Sequence, residues 1–232
     1  MEIFLDTAKV EQIKQWLGYG VLDGVTTNPS ILFKDGGYDI QERTREIAEL
    51  IYPRPLSVEV STNEPKEMLE QGRAFAKWGD NIVVKIPVIN EDGVPCLDVV
   101  NTLTNENIKV NMTAVMSLGQ FILGAKAGAT YGSIFAGRVA DEGNDSSELI
   151  ERSARWLKTW GYETKIIVGS IRTTKNIQDA AVAGAHVLTI PPDLLGKWVD
   201  HQYSRSTVKQ FNIDAKKAFE QLRESQGVTA SP

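Results

Sequence analysis

Cysteine and histidine are almost missing from this chain. The one cysteine, Cys96, excludes an internal disulfide framework and any zinc site built on several cysteines. Two histidines, His186 and His201, are too few for a histidine-rich metal centre, so no metal is expected; no cofactor is called for either. Basic charge is not in excess either. Lys and Arg number 25 against 30 Asp and Glu, a net charge of −5, which argues against nucleic acid or an anionic membrane as a partner. No uninterrupted apolar run reaches the roughly 18 residues of a membrane span. The start, MEIFLDT, has neither the basic stretch nor the apolar core of a secretory signal. The expectation is a soluble, cytoplasmic protein.

The 232 residues are 42% hydrophobic and 24% charged, ordinary values for a globular chain. Short runs rich in Val and Ile recur along the whole length: Ile3-Phe4-Leu5, 22–26, 56–60, 81–87, 108–112, 129–134, 164–168 and 187–190. Each is too short for a stable helix and suits a buried strand. Segments with helical spacing lie between them. Examples are Val10, Ile13 and Leu17; Met68, Phe75 and Trp78 after Thr62 as N-cap; Val115, Leu118 and Ile122; and Leu149, Ala154, Trp156 and Leu157. Strand alternating with helix eight times implies a parallel sheet. At this length a single-domain (β/α)₈ TIM barrel over residues 1–206 fits, with an open doubly wound sheet as the alternative. Ala127-Gly128-Ala129-Thr130 and Ala183-Gly184-Ala185-His186 each read as a helix stop before the next strand. Residues 207–225 form an extra C-terminal amphipathic helix, with Val208, Phe211, Ala215, Phe219 and Leu222 on one face, packing on the barrel or on a neighbouring subunit. Residues 226–232 read as a disordered tail.

Active sites of such barrels sit at the carboxyl ends of the strands, and here those ends are unusually polar. In order they carry Asp6; Thr26, Thr27 and Asn28; Glu59; Lys85; Asn111 and Thr113; Ser133, with Arg138 in its loop; and Ser170 with Arg172. Lys85 is the most informative, a lone charge in Ile82-Val83-Val84-Lys85-Ile86-Pro87. Taking a lysine out of water favours its neutral amine, the form that attacks a ketone. A snorkelling lysine, or a buried ion pair with Glu59, is the alternative. Ser57, Glu59 and Ser61 share one strand face, which implies a polar barrel interior. Asp6 could instead cap the helix that follows, with Thr7 competing for that place, and Thr113 could cap the next one. Arg138 and Arg172, each near a serine at neighbouring strand ends, suit a phosphate through their paired donors. His186, near a strand start, and Cys96, placed in a helix core, are given no chemistry.

Several segments resemble the transaldolase family, over nearly the whole chain. They are Phe4-Leu5-Asp6-Thr7-Ala8, the run from Asp23 to Ser30 that contains Thr26-Thr27-Asn28-Pro29, Val83-Val84-Lys85-Ile86-Pro87, Asn111-Met112-Thr113, Ala127 to Tyr131, Gly137-Arg138 and Ser170-Ile171-Arg172. The short length is similar to the compact bacterial branch, which also holds the fructose 6-phosphate aldolases. The resemblance implies a (β/α)₈ barrel with a metal-free class I mechanism acting on sugar phosphates. Lys85 would form the Schiff base and Asp6 would be the acid/base at the C4 hydroxyl. Glu59 and Thr113 would hold a catalytic water, and Asn28 and Asn111 would bind the three-carbon unit. Ser133, Arg138 and Arg172 would bind phosphate, with Thr27, Phe135 and Ser170 also lining the substrate. It further implies a homo-oligomer, a pentamer or decamer, and the pentose phosphate pathway. Fructose 6-phosphate aldolases carry Gln at the position of Glu59 and Tyr at that of Phe135, so both residues side with transfer of a dihydroxyacetone unit over its release. Thr113-Ala114-Val115 is closer to the aldolase pattern, and Ile134 stands where the family usually has Pro. A barrel that has lost its chemistry and serves only for binding would be expected to lack Lys85, Asp6 or Glu59, and all three are present.

Overall fold

The computed structural model describes residues 1–36 and 39–225. The chain divides into two compact units, Met1–Leu194 and Leu195–Pro232. In the first, β1 (Glu2–Asp6) leads to α1 (Val10–Gly18), and β2 (Gly24–Thr26) to α2 (Pro29–Lys34) and α3 (Ile40–Ile51). Then β3 (Leu56–Glu59) precedes α4 (Pro65–Phe75), β4 (Ile82–Pro87) precedes α5 (Leu97–Asn105), and β5 (Val110–Val115) precedes α6 (Leu118–Lys126). β6 (Tyr131–Phe135) runs into α7 (Ala136–Asp141) and α8 (Ser146–Trp160). β7 (Lys165–Gly169) is followed by α9 (Thr174–Val182), and β8 (Val187–Ile190) by α10 (Pro192–Val199). The eight strands form a closed parallel barrel in chain order. β1 completes the ring against β8 through Ile3↔Leu188 and Phe4↔Thr189, so the expected TIM barrel is present and the open sheet is not.

Alternation along the strands decides where the site sits. Phe4, Val83, Tyr131, Ile167 and Val187 form one buried apolar cluster from five strands. Two residues further along each strand returns to the same face. From Phe4, Val83, Tyr131 and Val187 that step reaches Asp6, Lys85, Ser133 and Thr189. The polar layer therefore rests directly on an apolar one. Gly24 is required by this packing, because a Cβ there would stand 2.7 Å from the Phe4 ring. Gly128 and Gly184 end α6 and α9 in the left-handed region, at φ 96° and 98°, as their sequence contexts predict.

Several expectations shift. Thr62 does not cap α4; Glu64 holds that position without a side-chain bond, while the Thr62 hydroxyl reaches Glu67. Val115 belongs to β5, and the buried face of α6 is Phe121, Gly124 and Ala125. β5 runs to Val115 because a bulge between Met112 and Val115 lets it continue, with Ala114 at φ 58°. Cys96 is buried but stands at the N-cap of α5, one residue before the helix. Neither Asp6 nor Thr113 caps a helix; Lys9 and Ser117 occupy those places. In the second unit, α11 (Gln202–Ser225) begins five residues before the expected start, at Gln202 where 207 was expected, and none of its residues is buried. The expected tail, 226–232, lies outside the described residues. Among the described residues no helix is long and apolar enough to cross a membrane.

Candidate active site

Lys85 is 5% exposed. Strand register sets Glu59 on β3 and Asn111 on β5 on either side of it. The Lys85 Nζ lies 2.9 Å from Glu59 Oε2 and donates to the Thr27 carbonyl at 3.0 Å. Thr27 is itself tied to β3, its Oγ1 donating to the Ser57 carbonyl at 3.0 Å. The amine is thus held by a carboxylate on one side and a backbone dipole on another, at the top of an apolar layer.

Asp6 enters from β1. Burial pushes its carboxyl above the usual carboxylate value; Lys85 and a hydrogen bond from Thr26 pull it back, and Glu59 and Asp35 add repulsion. The Thr26 hydroxyl donates to Asp6 Oδ1 at 2.7 Å and lies 2.5 Å from Thr189 Oγ1. A hydroxyl has one proton. When Thr26 gives it to Asp6, Thr189 must be the donor to Thr26, so the two threonines form a directed chain ending on the carboxylate. Asp35, at the end of α2, fastens the segment after Asp6 by accepting from Thr7 Oγ1 at 3.1 Å and from the Ala8 N–H at 3.0 Å.

A second network fixes Asn111. Its Nδ2 donates to Ser57 Oγ at 3.2 Å, and its Oδ1 accepts from Ser133 Oγ at 2.7 Å. Ser133 is therefore joined to Asn111 and, through it, to Ser57. Thr113 is fully buried, and its hydroxyl has no hydrogen-bond partner among the described residues. Asn28 caps α2, its Oδ1 accepting from the Ile31 N–H at 2.9 Å, so its amide Nδ2 protons are not spent on the cap.

At the ends of β6 and β7 the two arginines meet one acid. Arg172 donates from Nη1 and Nη2 to Asp141 at 2.5 and 2.7 Å, and Arg138 Nη1 lies 3.8 Å from Asp141 Oδ2. The paired guanidinium holds the Asp141 carboxyl below its usual value. Ser170 adopts φ 55°, and its carbonyl accepts from the Gly137 N–H at 3.1 Å, which links the two loops. Phe135 is half-buried at the end of β6. Thr189, Asp35 and Asp141 complete these networks without having been singled out in the sequence, while Thr26 at its strand end and Ser57 on the face of Glu59 were named there but given no role. Ser57 shares the face of Glu59 and could have been added by parity; Asp141 looks like an ordinary i,i+3 partner of Arg138.

Chemically, the arrangement offers a buried amine flanked by carboxylates, oriented amides and hydroxyls beside it, and an arginine pair at adjacent strand ends. No group of three or more His, Cys, Asp or Glu that could hold a metal ion occurs among the described residues. The profile of a family described as transaldolase/fructose-6-phosphate aldolase matches residues 3–230. A probable transaldolase of Dehalococcoides mccartyi is 39% identical over 216 residues, 93% of this chain and 98% of that protein. Probable transaldolases of Lactiplantibacillus plantarum and Clostridium botulinum are each 41% identical, over 93% and 94% of this chain and 97% and 98% of their own length. Among solved structures, a thiamine phosphate pyrophosphorylase from Pyrococcus furiosus superposes with a TM-score of 0.56 at 13% identity, covering 82% of this chain and 85% of that one. A mandelate oxidase does so at 0.55 and 10% identity, covering 82% and 64%. These two share the barrel alone.

Proposed function

Because this chain belongs to the transaldolase/fructose-6-phosphate aldolase family, we propose that it transfers a dihydroxyacetone unit from a ketose phosphate to an aldose phosphate through a Schiff base on Lys85. Sedoheptulose 7-phosphate and fructose 6-phosphate are the donors this reading favours, within the pentose phosphate pathway and in the cytoplasm. The observation that carries it is the 5% exposed Lys85 amine held 2.9 Å from Glu59, with Asp6 entering the same polar layer.

The neutral amine attacks the ketone carbon to give a carbinolamine. Glu59, 2.9 Å from the Lys85 Nζ, and the Thr113 hydroxyl, without a partner among the described residues, hold the water through which the carbinolamine hydroxyl is protonated and lost. The product is a protonated imine. Asp6 then takes the proton of the C4 hydroxyl, the C3–C4 bond breaks, and its electron pair flows into the imine to form an enamine. Burial raises the Asp6 value, the direction that suits a group which must both accept and return a proton. The aldose phosphate departs. The enamine adds to the carbonyl of the acceptor, Asp6 returns the proton to the new alkoxide, and water releases the product from Lys85. Asn28 and Asn111 hold the three-carbon hydroxyls; Arg138 and Arg172 bind phosphate. Ser133 acts through Asn111, to which it is bonded.

Release of free dihydroxyacetone is the second reading. Glu59 and Phe135 favour transfer, and the double change Glu59→Gln with Phe135→Tyr should raise cleavage relative to transfer. The exposed apolar positions Val208, Phe211, Phe219 and Leu222 of α11 support a homo-oligomer, with a pentamer or decamer favoured by family resemblance. The deciding test of the chemistry is borohydride trapping with fructose 6-phosphate, read by peptide mass spectrometry with and without erythrose 4-phosphate. A reduced three-carbon adduct on Lys85, diminished by the acceptor, is expected. A folded protein that gives no adduct on Lys85 would overturn the proposal.

A further inference from the structure

Asp141 is a carboxylate set among groups read as a phosphate site. Its side chain is 44% exposed, and those of Arg172 and Arg138 are 49% and 66% exposed. Exposed ion pairs of this kind add little to stability, so folding alone gives the pairing little reason to exist. Its geometry is nonetheless specific. Both terminal nitrogens of Arg172 are given to Asp141. A Cβ on Gly137 would stand 2.7 Å from Arg172 Nε, so the guanidinium lies against the bare backbone at that glycine. Arg172 is therefore fixed at its tip by Asp141 and along its edge by Gly137, while half of it faces solvent.

We propose that Asp141 is an internal competitor for the substrate phosphate: it holds Arg172 ready and weakens the grip on each phosphorylated aldehyde, so that product and acceptor exchange at one site. The inference rests on reading Arg138 and Arg172 as the phosphate-binding pair. Two guanidiniums and a phosphate dianion sum to zero; the Asp141 carboxylate makes the cluster negative. Group transfer benefits from this balance. While the three-carbon unit stays on the enzyme, one phosphorylated aldehyde must leave and another must enter. A site that held the first too firmly would return it to the enamine instead of releasing it. The substrate class this favours is a phosphate monoester that is exchanged within each turnover.

Removing one unit charge about 4 Å from a phosphate charge in water changes Kd about five-fold. The test is calorimetric titration of the full chain with inorganic phosphate, for the parent protein, Asp141→Asn and Arg172→Ala, at low and high salt. The Asp141→Asn change removes the charge, keeps one oxygen acceptor for Arg172 and frees its other terminal nitrogen. The expected result is that Arg172→Ala weakens phosphate, Asp141→Asn tightens it about five-fold at low salt, and high salt narrows that gap. If Arg172→Ala weakens phosphate but Asp141→Asn leaves it unchanged or weaker, Asp141 merely props the arginine and the inference fails while the phosphate site stands. If Arg172→Ala changes nothing, the phosphate reading itself fails and the inference with it. Asp141→Ser, checked by thermal melting, serves as the second charge-removing variant if Asp141→Asn does not fold.

Discussion

Replacing Lys85 by methionine removes one charge from the site at nearly constant side-chain length. In the parent, burial raises the Asp6 carboxyl and Lys85 is the largest influence drawing it back down. Without Lys85, Asp6 faces burial together with the repulsion of Glu59 and Asp35, and its folded value climbs further. A carboxyl whose folded value lies above its unfolded one contributes stability fully below the unfolded value, near 3.9, and loses it as pH rises through the folded value. Lys85→Met also breaks the largely buried ion pair with Glu59, so at neutral pH it should cost about 1–4 kcal/mol, between the values for an exposed and a buried pair, and the Asp6 share of that cost should shrink as pH falls toward the unfolded value. For a domain of this size the neutral-pH loss corresponds to roughly 3–15 °C in Tm. Thermal melts of parent and variant across that range measure it, and Lys85→Met combined with Asp6→Asn should recover the Asp6 share of the loss. A Tm difference that stays flat with pH, or that grows toward acid, would refute the assignment of Lys85 as the cation that draws the Asp6 value down.

Other consequences concern groups around the site and beneath it. His186 accepts the Ile166 N–H at 3.1 Å on its Nδ1, and burial, followed by Lys165 and the N-terminal amine, holds its value below the usual one. Its contribution to stability is therefore present above about pH 6.5 and lost as pH falls through the lowered value; in a pH series of melts, His186→Asn should flatten that loss. Gly137→Ala would press a Cβ into the Ser170 carbonyl oxygen, so the two loops must part, at a cost of about 1–3 kcal/mol that denaturant titration would detect. Thr189→Val removes the donor to Thr26 and weakens the bond to Asp6 by the cooperative share, roughly 10–30% of a charge-assisted bond. The acid limb of kcat/KM should rise by a few tenths of a pH unit, and Thr189→Ser should restore it.

The strands were legible because their cause is local. Val- and Ile-rich runs of strand length can only be buried, and their alternation with helical segments calls for a parallel sheet whatever the long-range contacts. Lys85 was legible for the same reason: a lone charge inside such a run stands out, and its 5% exposure rules out the snorkelling alternative while the ion pair with Glu59 is present. Helix starts were less secure. Thr62 carries a capping side chain, yet its hydroxyl is taken by Glu67 and the helix starts after Glu64. The end of β5 was misjudged because a bulge with Ala114 at φ 58° is set by pairing with β6 and leaves no composition signal.

The sequence by itself determined the alternating architecture and the polar residue at nearly every strand end, since both follow from periodicity along one segment at a time. Closure of the ring decided which of those residues meet. It brings Thr189 from β8 to Thr26 on β2, across 163 positions of chain, and joins Ser133 to Asn111. It also sets Asp141 against Arg172, which no spacing rule connects. Threonine and aspartate are common on any surface, and a side chain's partner is fixed by the register and loop geometry of other strands, so these contacts exist only once the barrel has closed.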